Sequence, residues 1–174
     1  GVDLTEKRLV LANKLGVNIS KSDLNDKLPF GSNYFDVIHA NQVIEHLNNT
    51  DIFVSEVYRV LKKGGYAIIS TENLASWHNI FALILGYMPF SLTNVTMKTA
   101  DLGNPFAPHN GESFYEVDTW QHQRVFTTKG LTNLFELYKF KIEKVIGSGY
   151  YPLGNYFAKY DKNHCAFITF KIRK

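Results

Sequence analysis

The sequence has 174 residues, of which 45% are hydrophobic and 20% charged, and its formal net charge is +3. This composition predicts a single domain over residues 1–174 with a sizeable apolar core. The lysines and arginines are scattered, so no nucleic-acid partner is expected. The single cysteine, Cys165, excludes an internal disulfide and a multi-cysteine zinc site. Residues 1–10 lack a signal-peptide pattern, and no apolar run approaches the roughly 20 residues of a membrane span, so we expect a cytoplasmic protein without a transmembrane segment.

The first twenty residues predict a strand, a helix and a second strand. Residues 1–4 read as the carboxyl end of the first strand, and Thr5 can cap a helix over 6–15 that Gly16 ends. The β-branched stretch 17–20 predicts the second strand. The helix is expected to bury its leucine-rich side, which comprises Leu9, Leu11, Ala12 and Leu15. This order of elements favours a parallel sheet.

A second unit of strand, helix and strand spans 34–73. An apolar strand over 35–40 precedes a helix predicted over 51–62, and the continuous apolar stretch 66–70 is typical of a parallel strand buried on both faces. The helix is expected to bury an apolar stripe of Phe53, Val54, Val57, Val60 and Leu61. Four polar residues follow the first of these strands, where a doubly wound sheet binds its ligands: Asn41, Gln42, Glu45 and His46.

Residues 74–121 break this alternation and predict a lid or substrate-recognition insertion, called the lid segment below. Its apolar side chains are Trp77, Phe81, Leu85, Tyr87, Met88 and Phe90. They favour a partly hydrophobic substrate, although the same stripe could instead pack on the sheet. Regular structure returns with a helix over 128–137, capped by Thr127, and with an antiparallel strand pair over 141–146 and 166–172.

Five pieces of the chain, in order, resemble one family. They are Gly1-Val2-Asp3-Leu4, Asp23-Leu24 with Leu28-Pro29-Phe30, FDVIHANQVIEHL, EVYRVLKKGGYAIISTEN and HQRVFTTKGLTNLFELYKF. The chain is similar to class I S-adenosylmethionine-dependent methyltransferases of the ubiquinone/menaquinone-biosynthesis type. This resemblance implies an α/β, Rossmann-like doubly wound sheet, mostly parallel with an antiparallel carboxyl-terminal strand. The implied cofactor is S-adenosyl-L-methionine.

The family's first strand and its glycine-rich turn have no counterpart in this sequence. We therefore expect a domain truncated at its amino terminus, with a gap where that strand would pair and homo-oligomer formation as a possible consequence.

The resemblance also assigns cofactor-binding residues. Asp3, next to Leu4, would accept hydrogen bonds from both ribose hydroxyls, and Asp23 would accept one from the adenine amino group while Leu24 covers the ring. Asn41 and Gln42 would meet the methionine end of the cofactor or line the methyl-transfer channel. Each polar residue has a local alternative: a helix cap for Asp3, Asn41 and Gln42, and an Asx turn for Asp23.

Two histidines are candidates for catalysis. His46 could contact the methyl acceptor or act as its general base, and His122 could reach the same place from the end of the lid segment. Either could instead be structural. Some relatives hold a divalent metal with Glu-x-x-Glu-His at this position, but Gln42 replaces the first glutamate, so no metal is predicted.

The function implied is methyl transfer by in-line displacement to a small-molecule, glycan or lipid-linked acceptor, with peripheral membrane contact as a possibility. Two other classes stay open. A nucleotide-cofactor dehydrogenase could share the parallel sheet and the acidic strand end, and a non-catalytic methyltransferase-like interaction module could lack cofactor binding altogether.

Overall fold

The computed structural model describes residues 1–96, 102–107 and 121–174. In these ranges the helices are α1 (Glu6–Lys14), α2 (Thr50–Val60), α3 (Trp77–Ile84) and α4 (Thr128–Leu137). The strands are β1 (Val2–Asp3), β2 (Ser20–Lys21), β3 (Phe35–Asn41), β4 (Leu61–Glu72), β5 (Lys141–Ser148) and β6 (Phe167–Arg173). Short 3₁₀ helices lie at Ile44–His46, Phe90–Leu92, Asn155–Lys159 and Lys162–His164.

The strands form two sheets. β3, β4, β6 and β5 pair in that order, and β1 pairs with β2 in a separate parallel ribbon. β3 and β4 are parallel, whereas β6 runs antiparallel to both of its neighbours. These directions confirm the expected Rossmann-like, mostly parallel arrangement with an antiparallel carboxyl-terminal strand.

The apolar core lies on the four-stranded sheet, under α2 and α4. The predicted stripe of α2 is buried throughout, and α4 contributes Leu131 and Phe135, both fully buried. α4 begins behind Thr127, whose hydroxyl accepts a hydrogen bond from the Gly130 amide at 3.1 Å, as the cap requires. One continuous core therefore joins the second and the last units of the chain.

The predicted end of α2 was wrong. Leu61 takes an extended backbone and pairs with Phe35, so the helix stops at Val60 and residues 62–64 already belong to β4. Lys62 consequently does not sit at the helix end. Its Nζ lies 2.8 Å from an Asp36 carboxylate oxygen instead.

The amino-terminal unit also differs from its prediction. Of the four residues expected to be buried on α1, only Leu9 is buried, while Leu11 and Leu15 are 59% and 74% exposed. The strand expected over 17–20 lies at Ser20–Lys21. Two-residue strands offer too little surface to cover a whole helix face, so most of the apolar side of α1 faces outward.

A cavity separates the two sheets. It has a volume of about 290 Å³ and lies between Gly1 and Val2 on one side and Phe35, Val37 and Ala40 of β3 on the other. In the described residues β3 pairs with β4 alone. This cavity lies where a further strand beside β3 could pair, and the truncation of the domain stays a prediction.

Candidate functional site

A cleft of about 360 Å³ opens where β1, β2 and β3 end. Six of the eight residues predicted for the site line it: Asp3, Leu4, Asp23, Leu24, Gln42 and His46. They come from three separate strand ends, which meet because the strands are parallel and share one carboxyl edge.

Asp3 lies in this cleft and also serves the local structure. Its Oδ1 accepts a hydrogen bond from the Thr5 amide at 2.8 Å, and its Oδ2 lies 3.6 Å from an Arg8 guanidinium nitrogen. A carboxylate has about four acceptor positions, so these contacts leave room for further donors. The local role and the ribose-binding role are therefore compatible.

Asp23 forms an Asx turn, which the sequence offers as the local alternative to adenine binding. Its Oδ1 accepts hydrogen bonds from the backbone and side-chain nitrogens of Asn25 at 2.8 and 2.9 Å. Both bonds use the same oxygen. The turn therefore fixes the carboxylate in the cleft wall while its Oδ2 carries no hydrogen bond from the described residues.

Gln42 occupies an unusual backbone conformation, with φ at 52°. A non-glycine residue with positive φ is uncommon, and such outliers concentrate at functional sites. The Gln42 amide donates to the Ser70 carbonyl at 3.0 Å, which continues the β3–β4 ladder as the chain turns into the cleft wall. Asn41 just before it does not line the cleft, and its side-chain oxygen accepts from the Ser70 hydroxyl.

A second group of polar residues adjoins the cleft: Glu45, His46 and His122, called the Glu-His-His cluster below. One potential ligand atom of each lies within 4.8 Å of those of the other two, and the two imidazole centroids are 4.8 Å apart. The amides of Gln123 and Arg124 donate to the Glu45 carbonyl at 2.8 and 3.1 Å. These backbone bonds hold the stretch that follows the lid segment against the 3₁₀ helix that carries Glu45 and His46.

Both imidazoles are oriented by backbone carbonyls. His46 Nδ1 lies 3.1 Å from the Gln121 oxygen and His122 Nδ1 lies 2.7 Å from the Ser91 oxygen. Since a carbonyl only accepts, each Nδ1 must carry the proton, and in the neutral ring Nε2 keeps its lone pair. Carbonyl partners of this kind fix the tautomer of metal-binding and proton-accepting histidines.

Burial shifts the pKa of two members of the cluster, His46 and Glu45. It lowers the pKa of His46, against the opposing effect of the Gln121 hydrogen bond, so the neutral imidazole is favoured. Burial also raises the pKa of Glu45, which is fully buried, and hydrogen bonds from the backbone and Thr71 only partly offset this. Glu45 Oε2 accepts from the Thr71 hydroxyl at 2.9 Å, whereas its Oε1 is buried without a hydrogen-bond partner.

These residues fit a divalent cation. Two imidazole nitrogens and one carboxylate oxygen are a donor set that transition metals accept. Ligands bound at about 2.1 Å lie at most about 4.2 Å apart, so small side-chain rotations would close the cluster on an ion. A partnerless buried oxygen calls for an explanation such as a missing ion. The prediction of no metal stays a prediction, and the cluster gives a specific reason to test it.

Known proteins match this chain in both sequence and structure. Residues 1–69 match a family model described as a methyltransferase domain. A ubiquinone biosynthesis O-methyltransferase of Pelagibacter ubique is 32% identical over 93 residues, which are 48% of this chain and 37% of that protein. The mitochondrial enzyme of the same description from Rattus norvegicus is 25% identical over 133 residues, 76% of this chain and 32% of that protein. The chain thus spans about a third of the length of these curated relatives.

A solved structure matches the entire described fold. It is a SAM-dependent methyltransferase from Thermotoga maritima, described as a possible histamine N-methyltransferase, with 21% identity and a TM-score of 0.68. The alignment covers 100% of this chain and 72% of that one. The chain is similar to S-adenosylmethionine-dependent methyltransferases, in sequence over residues 1–69 and in fold over its whole length. The resemblance drawn from the five sequence pieces is confirmed.

For a class I methyltransferase, the cleft at the strand ends is the expected place for the cofactor. The Glu-His-His cluster was foreseen only in part. The sequence predicts roles for His46 and His122 but none for Glu45 in metal binding, because Gln42 replaces the first glutamate of the metal-binding motif. Nothing in the spacing of residues 45 and 122 shows that they meet. In the described part of the chain no helix has the length and apolar character needed to cross a membrane.

Proposed function

We propose that this chain binds S-adenosylmethionine in the cleft and takes part in methyl transfer to a small-molecule acceptor. The observation that carries the proposal is the convergence of Asp3, Asp23 and Gln42 at one cleft, directly beside His46. Asp3 would accept the ribose hydroxyls, Asp23 and Leu24 would hold the adenine, and Gln42 would face the methionine end. The cofactor supplies a methyl group already activated by its bond to a sulfonium.

The acceptor side of the reaction falls to the Glu-His-His cluster. In-line displacement needs the acceptor atom aligned behind the methyl group, water excluded, and any acceptor proton removed. The neutral Nε2 of His46 is suited to take that proton, and His122 would share or orient it. An acceptor hydroxyl is the simplest fit, since the named relatives are O-methyltransferases. The apolar lid segment favours an acceptor with a hydrophobic part, such as a lipid-linked one.

The partnerless Glu45 Oε1 favours a second candidate role for the same cluster. Glu45, His46 and His122 would hold a divalent cation, which would act as a Lewis acid toward an acceptor oxygen. The two roles differ in whether the imidazole lone pairs receive a proton or an ion. They share the same cofactor site.

Calorimetric titration with S-adenosylhomocysteine, the product form of the cofactor, tests the proposal. We expect Asp3→Asn to weaken binding tenfold or more, because hydrogen bonds to a charged group contribute roughly 1.5–3 kcal/mol. The asparagine keeps an Oδ1 for the Thr5 amide, so α1 should still start normally. The matched control is Asp26→Asn, which lies outside the cleft lining.

Four outcomes decide among the open classes. Weaker binding for Asp3→Asn alone supports the assignment, and equal binding by both variants contradicts the ribose role of Asp3. Binding of NAD in place of S-adenosylhomocysteine would indicate a dehydrogenase. No binding of either by the unaltered chain would contradict the proposal and leave the non-catalytic module.

A further inference from the structure

One face of the molecule carries an unusual density of exposed apolar side chains. The end of α3 exposes Phe81, Ile84 and Leu85 by 52%, 72% and 68%, and Phe106 and Tyr151 beside them are 69% and 56% exposed. Phe81, Leu85, Phe106 and Tyr151 line one shared cavity of about 250 Å³. Isolated exposed apolar residues are ordinary, but a contiguous group marks an interaction surface.

The group continues along the segment between β5 and β6. Tyr150 stacks on Phe157 with centroids 5.8 Å apart, and Tyr156 contacts both Phe157 and Tyr160 edge to face. Tyr156 and Tyr160 are 67% and 69% exposed. We call the whole surface the apolar face; its exposed members are Phe81, Ile84, Leu85, Phe106, Tyr151, Leu153, Tyr156 and Tyr160.

Within the described residues, the two stretches that carry most of the apolar face hold a single charge, and it is positive. Residues 74–96 contain no Asp, Glu, Lys or Arg, and residues 147–160 contain only Lys159. Lys144, Lys159 and Lys162 line a groove at the edge of the face, and the Lys159 ammonium lies 6.0 Å from the Tyr160 ring centroid.

The carboxylate of Asp161, the residue between Tyr160 and Lys162, is already bound by side chains of the protein. Asp161 accepts hydrogen bonds from the Tyr150 hydroxyl and the Trp77 indole at 2.8 and 3.3 Å, and it pairs with His164 at 2.8 Å. This network fastens the β5–β6 segment to α3. In the part of the chain that the structure describes, Lys144, Lys159 and Lys162 form no ion pair, so their charges are available to an anionic partner.

We propose that the apolar face is a docking surface for an anionic lipid bilayer. Aliphatic and phenylalanine side chains can enter the acyl boundary, tyrosines prefer the interface between acyl chains and headgroups, and lysines attract anionic headgroups. The apolar face offers all three side by side. A protein partner would be expected to present polar and charged groups around the rim of its interface. The stretch 74–96 contains no charged residue that could pair with them.

The face is connected to the candidate site. The Asn79 side chain of α3 bonds to the Ser91 hydroxyl at 2.8 Å, and the Ser91 carbonyl accepts from His122 at 2.7 Å. Docking at α3 would therefore bring the Glu-His-His cluster near the bilayer surface, where an acceptor with a hydrophobic tail is dissolved. This last link rests on the proposed function, whereas docking itself does not.

Co-sedimentation with vesicles tests the proposal. We expect binding to vesicles of phosphatidylcholine mixed with phosphatidylglycerol, weaker binding to phosphatidylcholine alone, and loss of binding as salt is raised. The double substitution Phe81→Ser with Leu85→Ser should lower the partition coefficient at least tenfold. Replacing Lys159 and Lys162 with Gln should lower it severalfold, and only on the anionic vesicles.

The control is Leu15→Ser, because Leu15 is 74% exposed but directly follows α1 and is not part of the apolar face. Thermal melting and S-adenosylhomocysteine binding of each variant separate loss of docking from loss of folding or of the cofactor site. Failure of the unaltered chain to sediment with either vesicle overturns the proposal. So does a dimer that dissociates on the Phe81 and Leu85 changes, since the face would then bind a second copy.

Discussion

The ribbon of β1 and β2 with α1, and the sheet of β3 to β6 with α2 and α4, are built very differently. α1 buries a single side chain, Leu9, whereas α2 and α4 together bury a continuous stripe over the sheet. Yet the ribbon carries Asp3 and Asp23, and the sheet carries His46. The proposed function thus places the cofactor on the less buried of these two units and the acceptor chemistry on the more buried one.

Such a division has a physical consequence. Regions with few buried apolar contacts open locally at low free energy, and ligand-binding segments are drawn from them. Cofactor binding would then supply part of the order that the ribbon lacks, because a ligand stabilises the state that it binds.

A matched pair of core substitutions gives the largest expected effect. Phe135→Ala should lower the free energy of unfolding by about 3–5 kcal/mol, as expected for a large aromatic residue removed from a full core. Leu9→Ala should cost much less globally, because α1 contacts little beyond its two short strands. Urea denaturation measures both changes.

The outcome for Leu9→Ala is the informative half of this comparison. We expect faster amide hydrogen exchange confined to α1, together with weaker S-adenosylhomocysteine binding. If Leu9→Ala lowered the free energy of unfolding as much as Phe135→Ala does, the ribbon and the sheet would unfold as one unit. That result would contradict the proposed difference between them.

Metal titration tests whether the Glu-His-His cluster, which lies beside the four-stranded sheet, binds a cation. If the cluster holds an ion, calorimetry with Zn²⁺ should show one site per chain, and His122→Ala should weaken binding by more than the roughly 10–100-fold that loss of an outer-shell partner costs. His39→Ala is the control, since His39 is exposed on β3 and outside the cluster. Equal Zn²⁺ binding by the unaltered chain and both variants would contradict the metal role of the cluster.

The sequence predicted the four-stranded sheet and its helices better than the amino-terminal ribbon. The stripe of α2, the Thr127 cap and the β5–β6 pair were predictable because strong apolar periodicity and local hydrogen bonds decide them. The face of α1 was not, because its burial depends on how much sheet lies beneath it. The cofactor cleft was found because its residues follow strand ends, a rule of the fold.

The Glu-His-His cluster shows where such rules stop. His122 reaches His46 through backbone bonds from Gln123 and Arg124 to Glu45, across a separation of more than seventy residues. No periodicity links these positions. The partnerless Oε1 of Glu45 is likewise a product of packing and is invisible in the order of residues.

The smallest expected effect concerns a surface ion pair between β5 and β6 of the four-stranded sheet. Hydrogen bonds from Arg173, and then from Lys171, lower the pKa of Glu143 to about 2 from an ordinary value of 4.5. A folded-state pKa below the unfolded value means that the carboxylate stabilises the fold above about pH 4.5. That contribution is lost as the pH falls through about 2. Because the pair is solvent-exposed, its contribution at neutral pH is small.

We therefore expect Glu143→Gln to be slightly less stable than the unaltered chain at neutral pH and equally stable near pH 2. Urea midpoints measured across this window check the prediction, with Glu136→Gln on the exposed side of α4 as the control. A difference that persisted unchanged to pH 2 would mean that the glutamine acts through packing and not through the lost charge. If Glu143→Gln lowered the free energy of unfolding as much as Leu9→Ala does, surface charge would contribute to the stability of the edge strand β5 as much as burial contributes to that of α1.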